Sequence, residues 1–450
     1  MRILIIVPSM RLQTKKIYKE YPLGAGYIGT ALYQEGHTIK IIDQDAEGQT
    51  NEEVLKEVEK FVPDVILFSM VTSTYGRGLD ILKAIKKSHP DLVCAAGGVH
   101  PTIFPERTVK DGFDYALFGE GEKSAPSFIS LLGDRKALQS VEGICGKDHR
   151  GVIWKTCRGA PVSLDMPVKR SLYNLSLYSH HTVIFSRGCP FGCKFCCDIF
   201  RRAGRGFIRT CSFDCMEKEL ESVATLQGDI FFADDIFMGS PNNMRKFCQL
   251  YKDNKYSFQW VAQMRVDGVT EAVIERLAES GCKRIYLGCE SGSDKILKTA
   301  GKRCTSANIK NAIDIIHTFG IRVKTGWIYG LPGAIKEQYK SVDLMLAARP
   351  EEISIHKLIP FPGTHFFDNR DSYGIKIKDP YDFDIYSYSW PDSSITYTYL
   401  QENELLNLLQ YTASVLNKEG YKSSDNAQSG DRFVYSMPNC KKPISVFKKC

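Results

Sequence analysis

Short apolar strand patterns alternate with helical patterns along most of this 450-residue chain, in two separate blocks. Few architectures accept that alternation, because parallel strands need a crossover of about a dozen residues and bury both faces beneath the connecting helices. In the first block, strand patterns run from Ile3 to Val7, Thr38 to Ile42, Val65 to Phe68, Leu92 to Ala96 and Phe113 to Phe118. Helical patterns separate them at Ile28 to Gln34, Asn51 to Phe61 and Leu79 to Lys87. The order predicts an α/β fold with a Rossmann-like, doubly wound domain over residues 1–140. Ligands of such sheets bind beyond the carboxyl ends of the strands. The loops there are Pro22-Leu23-Gly24, Ser69 to Thr74, Gly97 to Thr102 and Gly119 to Glu122.

Residues 141–180 show little periodicity and read as an ordered linker. The second block, 181–365, has strand patterns at Thr182–Ser186, Asp229–Phe232, Gln259–Met264, Arg284–Leu287, Val323–Tyr329 and Ser354–Leu358. Helical patterns such as Ala272 to Glu279 and Ala307 to Thr318 lie between them. Six such units predict a partial (β/α)6 barrel, with reactive groups at the carboxyl strand ends. The rest, 366–450, is a C-terminal extension rich in Tyr, with one helix from Glu402 to about Leu416.

Directly after the first barrel strand comes Arg187-Gly188-Cys189-Pro190-Phe191-Gly192-Cys193-Lys194-Phe195-Cys196. Three thiolates in a loop broken by Gly and Pro can fold around one 4Fe–4S cube and leave its fourth iron open. Zinc more often takes two Cys-x-x-Cys or Cys/His pairs, and core cysteines do not gather in such loops. The 15 cysteines sit in a long chain with no export signal, so reduced thiols in the cytoplasm are expected. No apolar run approaches the roughly 18 residues of a membrane span, so no integral membrane segment is expected. A net charge of +7, scattered over the chain, gives no basis for nucleic-acid binding.

The spacing C-x3-C-x2-C at the end of a first barrel strand resembles the radical S-adenosylmethionine superfamily, and the likeness runs from about Thr182 to Thr364. It implies that Cys189, Cys193 and Cys196 hold the cluster while the open iron takes the amino and carboxylate groups of S-adenosylmethionine. Phe195 then lies beside the adenine. The same likeness makes Asp234, Glu290 and Ser291 candidates for the amino-acid and ribose end, with Arg265 for the carboxylate. A zwitterionic cofactor does need an acid for its ammonium and a cation or hydroxyl for its carboxylate. Structural ion pairing of Arg265, or of the neighbouring Asp235, is the alternative.

The first block resembles the cobalamin-binding domain joined to many enzymes of that superfamily. The matching residues are Pro22-Leu23-Gly24, Gly97-Gly98 with His100-Pro101-Thr102, and Gly119-Glu120-Gly121-Glu122. The resemblance implies cobalamin contacts from Leu23, Gly24, Ser69, Gly97, Gly98, His100, Pro101, Gly119, Glu120 and Gly121. Glycine loops let backbone N–H groups approach a large ligand, although the same glycines also make tight turns. No Asp-x-His-x-x-Gly stands in this segment, which argues against a histidine ligand on cobalt. Together the resemblances imply a cobalamin-dependent methyltransferase that acts on an unactivated carbon of a small molecule or lipid. An electron donor such as flavodoxin or ferredoxin would reduce its cluster. A cyclase or rearrangement enzyme, and a redox or sensing protein, are the alternatives. Cys197, Cys211, Cys215, Cys440 and Cys450 offer no compact second ligand set and are expected to be plain thiols.

Overall fold

The computed structural model describes residues 1–9, 20–197, 208–237, 241–386, 394–423 and 433–437. The first sheet contains β1 (Arg2–Val7), β2 (Thr38–Asp43), β3 (Val65–Ser69), β4 (Val93–Gly97), β5 (Tyr115–Leu117), β6 (Ile144–Lys147) and β7 (Ile153–Lys155). Its order is β2-β1-β3-β4-β5-β6-β7, with the first five strands parallel. Apart from the edge strand β2, which carries Thr38, Lys40 and Asp43, their side chains are mostly apolar, as strands buried on both faces require. The helix Asn51–Phe61 opens with a capping box in which the Thr50 and Glu53 side chains satisfy each other's backbone N–H groups.

The sequence assigned residues 144–155 to the linker, and the structure does not. There β6 and β7 extend the first sheet antiparallel beyond β5, joined by a turn in which the Asp148 carboxylate accepts from the N–H groups of Arg150 and Val152. The linker is therefore shorter. It is held by a buried cluster in which Arg170 bonds Tyr21, Ser222, Glu219 and the Thr182 carbonyl.

The second sheet begins with β8 (His180–Val183). A short antiparallel ribbon follows, formed by β9 (Ser186–Arg187) and β10 (Arg209–Thr210). Then come β11 (Asp229–Phe232), β12 (Trp260–Arg265), β13 (Cys282–Glu290), β14 (Arg322–Tyr329) and β15 (Glu352–Lys357). The strands β8, β11, β12, β13, β14 and β15 are parallel neighbours in that order, which is the six-stranded partial barrel expected. The C-terminal extension supplies an antiparallel pair, β16 (Ile375–Ile377) with β17 (Ile395–Tyr397). It also adds β18 (Lys422–Ser423) and β19 (Phe433–Ser436), the latter antiparallel to β15. Tyrosines of this extension cover the barrel's carboxyl end: Tyr397 donates to the Leu358 carbonyl and Tyr399 to that of Gly330. Tyr388, Trp390, Cys440 and Cys450 lie outside the described residues. Among the described residues, no helix is long and apolar enough to cross a membrane.

Candidate functional site

A cavity of about 450 Å³ opens beyond the carboxyl ends of β1, β3, β4 and β5. Eight of the ten residues proposed for the first domain line it: Leu23, Gly24, Ser69, Gly97, Gly98, Gly119, Glu120 and Gly121. His100 and Pro101 are not on its wall. His100 is fully buried instead, its ring 3.8 Å from that of Tyr75 and 4.4 Å from that of Phe383, which comes from the C-terminal extension. Burial pushes its imidazole down to about 3, so it stays neutral. Phe383, distant in sequence, joins Tyr75 and Phe104 around the ring, so sequence alone could not show that the His100 side chain packs away from the cavity wall.

The glycines have different reasons. Gly98 has a φ of +99°, and a Cβ there would stand 2.6 Å from the Met70 carbonyl oxygen, so the backbone approach itself demands glycine. At Gly24 an added Cβ meets nothing within 4 Å. Gly24→Leu is thus expected to fill ligand space without straining the fold. Cobalamin retention should weaken by about tenfold or more while the melting temperature stays put, as a loss of roughly 1.4 kcal/mol in binding alone would give. Equilibrium dialysis beside a thermal melt checks both. Unchanged retention would show that the ligand does not rest on this loop.

Glu120 lines the cavity but is also engaged across the domain boundary. Its carboxylate accepts from Arg209 and from the Val162 N–H at 2.7 Å, with Arg187 at 3.6 Å. Arg187 in turn pairs with Glu122 at 2.6 Å and lies over the Tyr27 ring at 4.8 Å. Tyr27 stands on the cavity wall, and no hydrogen bond of its hydroxyl to a described residue is present. It lines the cavity although the sequence pattern assigned it no role.

The barrel forms the opposite wall with Ile184, Ser186, Arg187, Ala233 and Asp235. Arg187 and Gly188 lead straight into the cysteine loop, and Asp235 accepts the Gly188 N–H at 2.8 Å. Within that loop Cys193 is buried, and Cys189 and Cys196 are partly exposed. The turn is fixed by backbone bonds from Cys196 to Cys193 at 3.2 Å, from Lys194 to the Ala300 carbonyl at 2.9 Å, and from Phe366 to the Lys194 carbonyl at 3.1 Å. Among the described residues, no three Cys, His, Asp or Glu groups converge as ligands of one ion. A cube does not need that, since each thiolate binds a different iron. The donor set of three thiols in one turn fits a cluster with an open iron. Phe195 is partly buried beside the core.

The adjacent carboxylates of the second barrel strand part company. Asp235 is exposed toward the cavity, whereas Asp234 is buried: its Oδ1 accepts from the Ser186 hydroxyl at 2.5 Å and the Phe185 N–H at 3.3 Å, and Oδ2 has no hydrogen-bond partner among the described residues. Burial pushes this carboxyl up to about 7. Glu290 ends β13 with a φ of +66°, just past a register shift, a costly conformation for a residue with a side chain. Its carboxylate pairs at 3.0 Å with Lys302, a buried ammonium that also donates to the Gly288 carbonyl at 2.9 Å. Ser291 is buried and accepts from the Ser293 N–H at 3.1 Å. Lys302 carried no motif signal, because it lies in an ordinary helix-to-loop sequence and meets Glu290 only through the fold. Arg265 forks onto Asp267 at 2.9 and 2.8 Å, and its remaining Nη1 donates to Cys193 Sγ at 3.2 Å.

Two protein families match the chain: the B12 binding domain over residues 16–129 and the radical SAM superfamily over 183–345. Among curated relatives, an uncharacterized methyltransferase of Pyrococcus horikoshii is 27% identical over 82% of this chain and 83% of its own. The hopanoid C-3 methylase of Methylococcus capsulatus is 24% identical over 86% and 75%. The anaerobic magnesium-protoporphyrin IX monomethyl ester cyclase of Synechocystis is 24% identical over 82% and 77%. The fold resembles that of the cobalamin-dependent S-adenosylmethionine radical enzyme OxsB, with a TM-score of 0.67, 21% identity, and 97% of this chain against 64% of that one. This chain thus spans just under two thirds of OxsB. It also resembles the radical S-adenosylmethionine methyltransferase TsrM of Kitasatospora setae, with a TM-score of 0.69 at 14% identity over 97% and 84%.

Proposed function

We propose that this chain, a radical S-adenosylmethionine superfamily member with an N-terminal B12-binding domain, is a methyltransferase acting on an unactivated carbon of a small molecule or lipid. One observation carries the reading. The wall of the first domain's cavity opposite the glycine loops is built by Ser186, Arg187 and Asp235, the residues that lead into and hold the cysteine loop. Two cofactor sites therefore adjoin, which suits a reaction shared between them. When bound, the cluster, S-adenosylmethionine and cobalamin supply a 5′-deoxyadenosyl radical and a transferable methyl group.

The chain's own residues bind, orient and exclude water. Cys189, Cys193 and Cys196 hold the cluster. Glu290, paired with Lys302, is poised to accept hydrogen bonds from the cofactor's hydroxyls, and Ser291 fixes the turn that follows. Asp234 stays behind the Ser186 strand as a buried support. The glycine loops with Leu23, Ser69 and Tyr27 receive cobalamin, and the mostly apolar cavity walls keep water from the reacting groups. A one-electron donor of the flavodoxin or ferredoxin kind reduces the cluster.

A methyltransferase of this design consumes two S-adenosylmethionine molecules per turnover. S-adenosylhomocysteine and 5′-deoxyadenosine should accumulate about one to one, because cofactor chemistry fixes the count. Methyl-deuterated cofactor should leave one CD₃ group in the product. Productive turnover that forms 5′-deoxyadenosine with neither S-adenosylhomocysteine nor label would instead identify a cyclase or rearrangement enzyme, the second reading that the cyclase relative favours.

A further inference from the structure

We propose that Arg265 raises the reduction potential of the iron–sulfur centre by donating a hydrogen bond to the Cys193 thiolate, and that Asp267 limits how much of its charge the centre feels. The proposal rests on the reading of Cys193 as a cluster ligand. Arg265 ends β12, and its guanidinium carbon lies over the Phe191 ring of the cysteine loop, 3.6 Å from the ring centroid. Nε and Nη2 are occupied by the two carboxylate oxygens of Asp267 at 2.9 and 2.8 Å. Nη1 is directed at Cys193 Sγ, 3.2 Å away. The side chain is only 12% exposed, so water screens this contact little.

The sequence resemblance made Arg265 a candidate for the cofactor carboxylate; in the structure Asp267 and Cys193 engage it. Three of the five guanidinium N–H donors are engaged, on Nε and Nη2 by the Asp267 carboxylate and on Nη1 by Cys193 Sγ. Contact with Phe191 and pairing with Asp267 hold the group in place, so that one Nη1 N–H meets the sulfur. A hydrogen bond to a ligand thiolate draws electron density from the cluster and favours the more negative, reduced form. Each one-electron reduction adds negative charge beside a fixed cation. Asp267 offsets part of that cation, which gives the two residues opposite expected signs.

The test is a potentiometric titration of the anaerobically reconstituted full chain, followed by the electron paramagnetic resonance of the reduced cluster. Iron content and S-adenosylmethionine binding by equilibrium dialysis accompany it. Arg265→Met should make reduction at least tenfold less favourable at a given donor potential, a shift of 59 mV for a one-electron couple. Iron content should be unchanged and cofactor affinity within about threefold of the parent. Arg265→Lys, which keeps the charge but not the fork, should fall between, and Asp267→Asn should shift the equilibrium the other way. An iron-replete Arg265→Met protein with unaltered potential and cofactor binding weakened tenfold or more would overturn the proposal in favour of a carboxylate clamp. If Arg265→Met fails to take up iron, Asp267→Asn decides, since it retains Arg265: no upward shift there rejects the idea. A parent protein that binds no iron defeats the cluster assignment itself, which is a separate outcome.

Discussion

Replacing Cys189, Cys193 and Cys196 together by Ala should remove the cluster entirely, and with it all 5′-deoxyadenosine formation. The parent chain, reconstituted without oxygen, is expected to carry about four irons and four sulfides with broad absorbance near 400 nm. The triple variant should fall to background. Loss of the thiols does not by itself unfold the loop, because its framework is backbone. Lys194 donates to Ala300, Phe366 donates to Lys194, and Asp235 receives the Gly188 N–H. The melting curve should therefore stay near that of the iron-free parent. Cobalamin retention should also survive, since the glycine loops that line its cavity belong to the first sheet. A triple variant that kept a full complement of iron would place the ligands elsewhere. Cys211 and Cys215, both buried at the foot of the helix Phe213–Ala224, would then be the first to examine.

What the sequence made legible is what local chemistry determines. An apolar run bounded by turn residues forms a buried strand in almost any surroundings, so β1, β3 and β4 emerge within a residue or two of their expected limits. The helix Asn51–Phe61 likewise falls at its expected limits. The hairpin β6–β7 escaped because its strands are short, one includes Gly146, and the strand that β6 joins, β5, lies some thirty residues upstream. The site divides along the same line. A loop with three cysteines is recognisable by spacing alone. By contrast, which of Asp234 and Asp235 turns inward depends on Ser186, 48 residues before Asp234. The engagement of Arg265 depends on Cys193, 72 residues away. Lys302 and Tyr27 acquire significance only when the fold sets them beside Glu290 and the cavity. Side-chain direction at a strand end follows from tertiary contacts that no local pattern encodes.

The joint between the two sheets should be the most sensitive place for stability outside the hydrophobic cores. Arg170 and Glu219 are 5% and 2% exposed, and they meet at 2.5 Å where the linker crosses from the first domain to the barrel. Arg170 Nε also donates to Tyr21 Oη at 2.6 Å, and that hydroxyl donates to the Thr182 carbonyl at 2.8 Å. Glu219 in addition accepts the Val168 N–H. Four segments thus converge on one buried ion pair: the approach to the first helix, the linker, the first barrel strand and the helix Phe213–Ala224. Burying two charges is expensive in itself, so the pair adds little net stability relative to a well-packed apolar substitute. Removing one partner is different, because it strands the other charge without water, at a cost of about 3–5 kcal/mol. Arg170→Met and Glu219→Leu should each destabilise the chain by that amount, with premature unfolding in urea. The double variant should regain more than half of the loss, since neither charge remains, while Tyr21 can still donate to Thr182. Both single variants should also release cobalamin faster, because Thr182 begins the path that runs through Ser186 and Arg187 on the cavity wall. A single variant that lost less than about 1 kcal/mol would show a pair reached by water, as surface ion pairs are. A double variant no better than the worse single one would mean that the hydrogen bonds to Tyr21, Ser222 and Val168, and not the charge pairing, hold the two sheets in register.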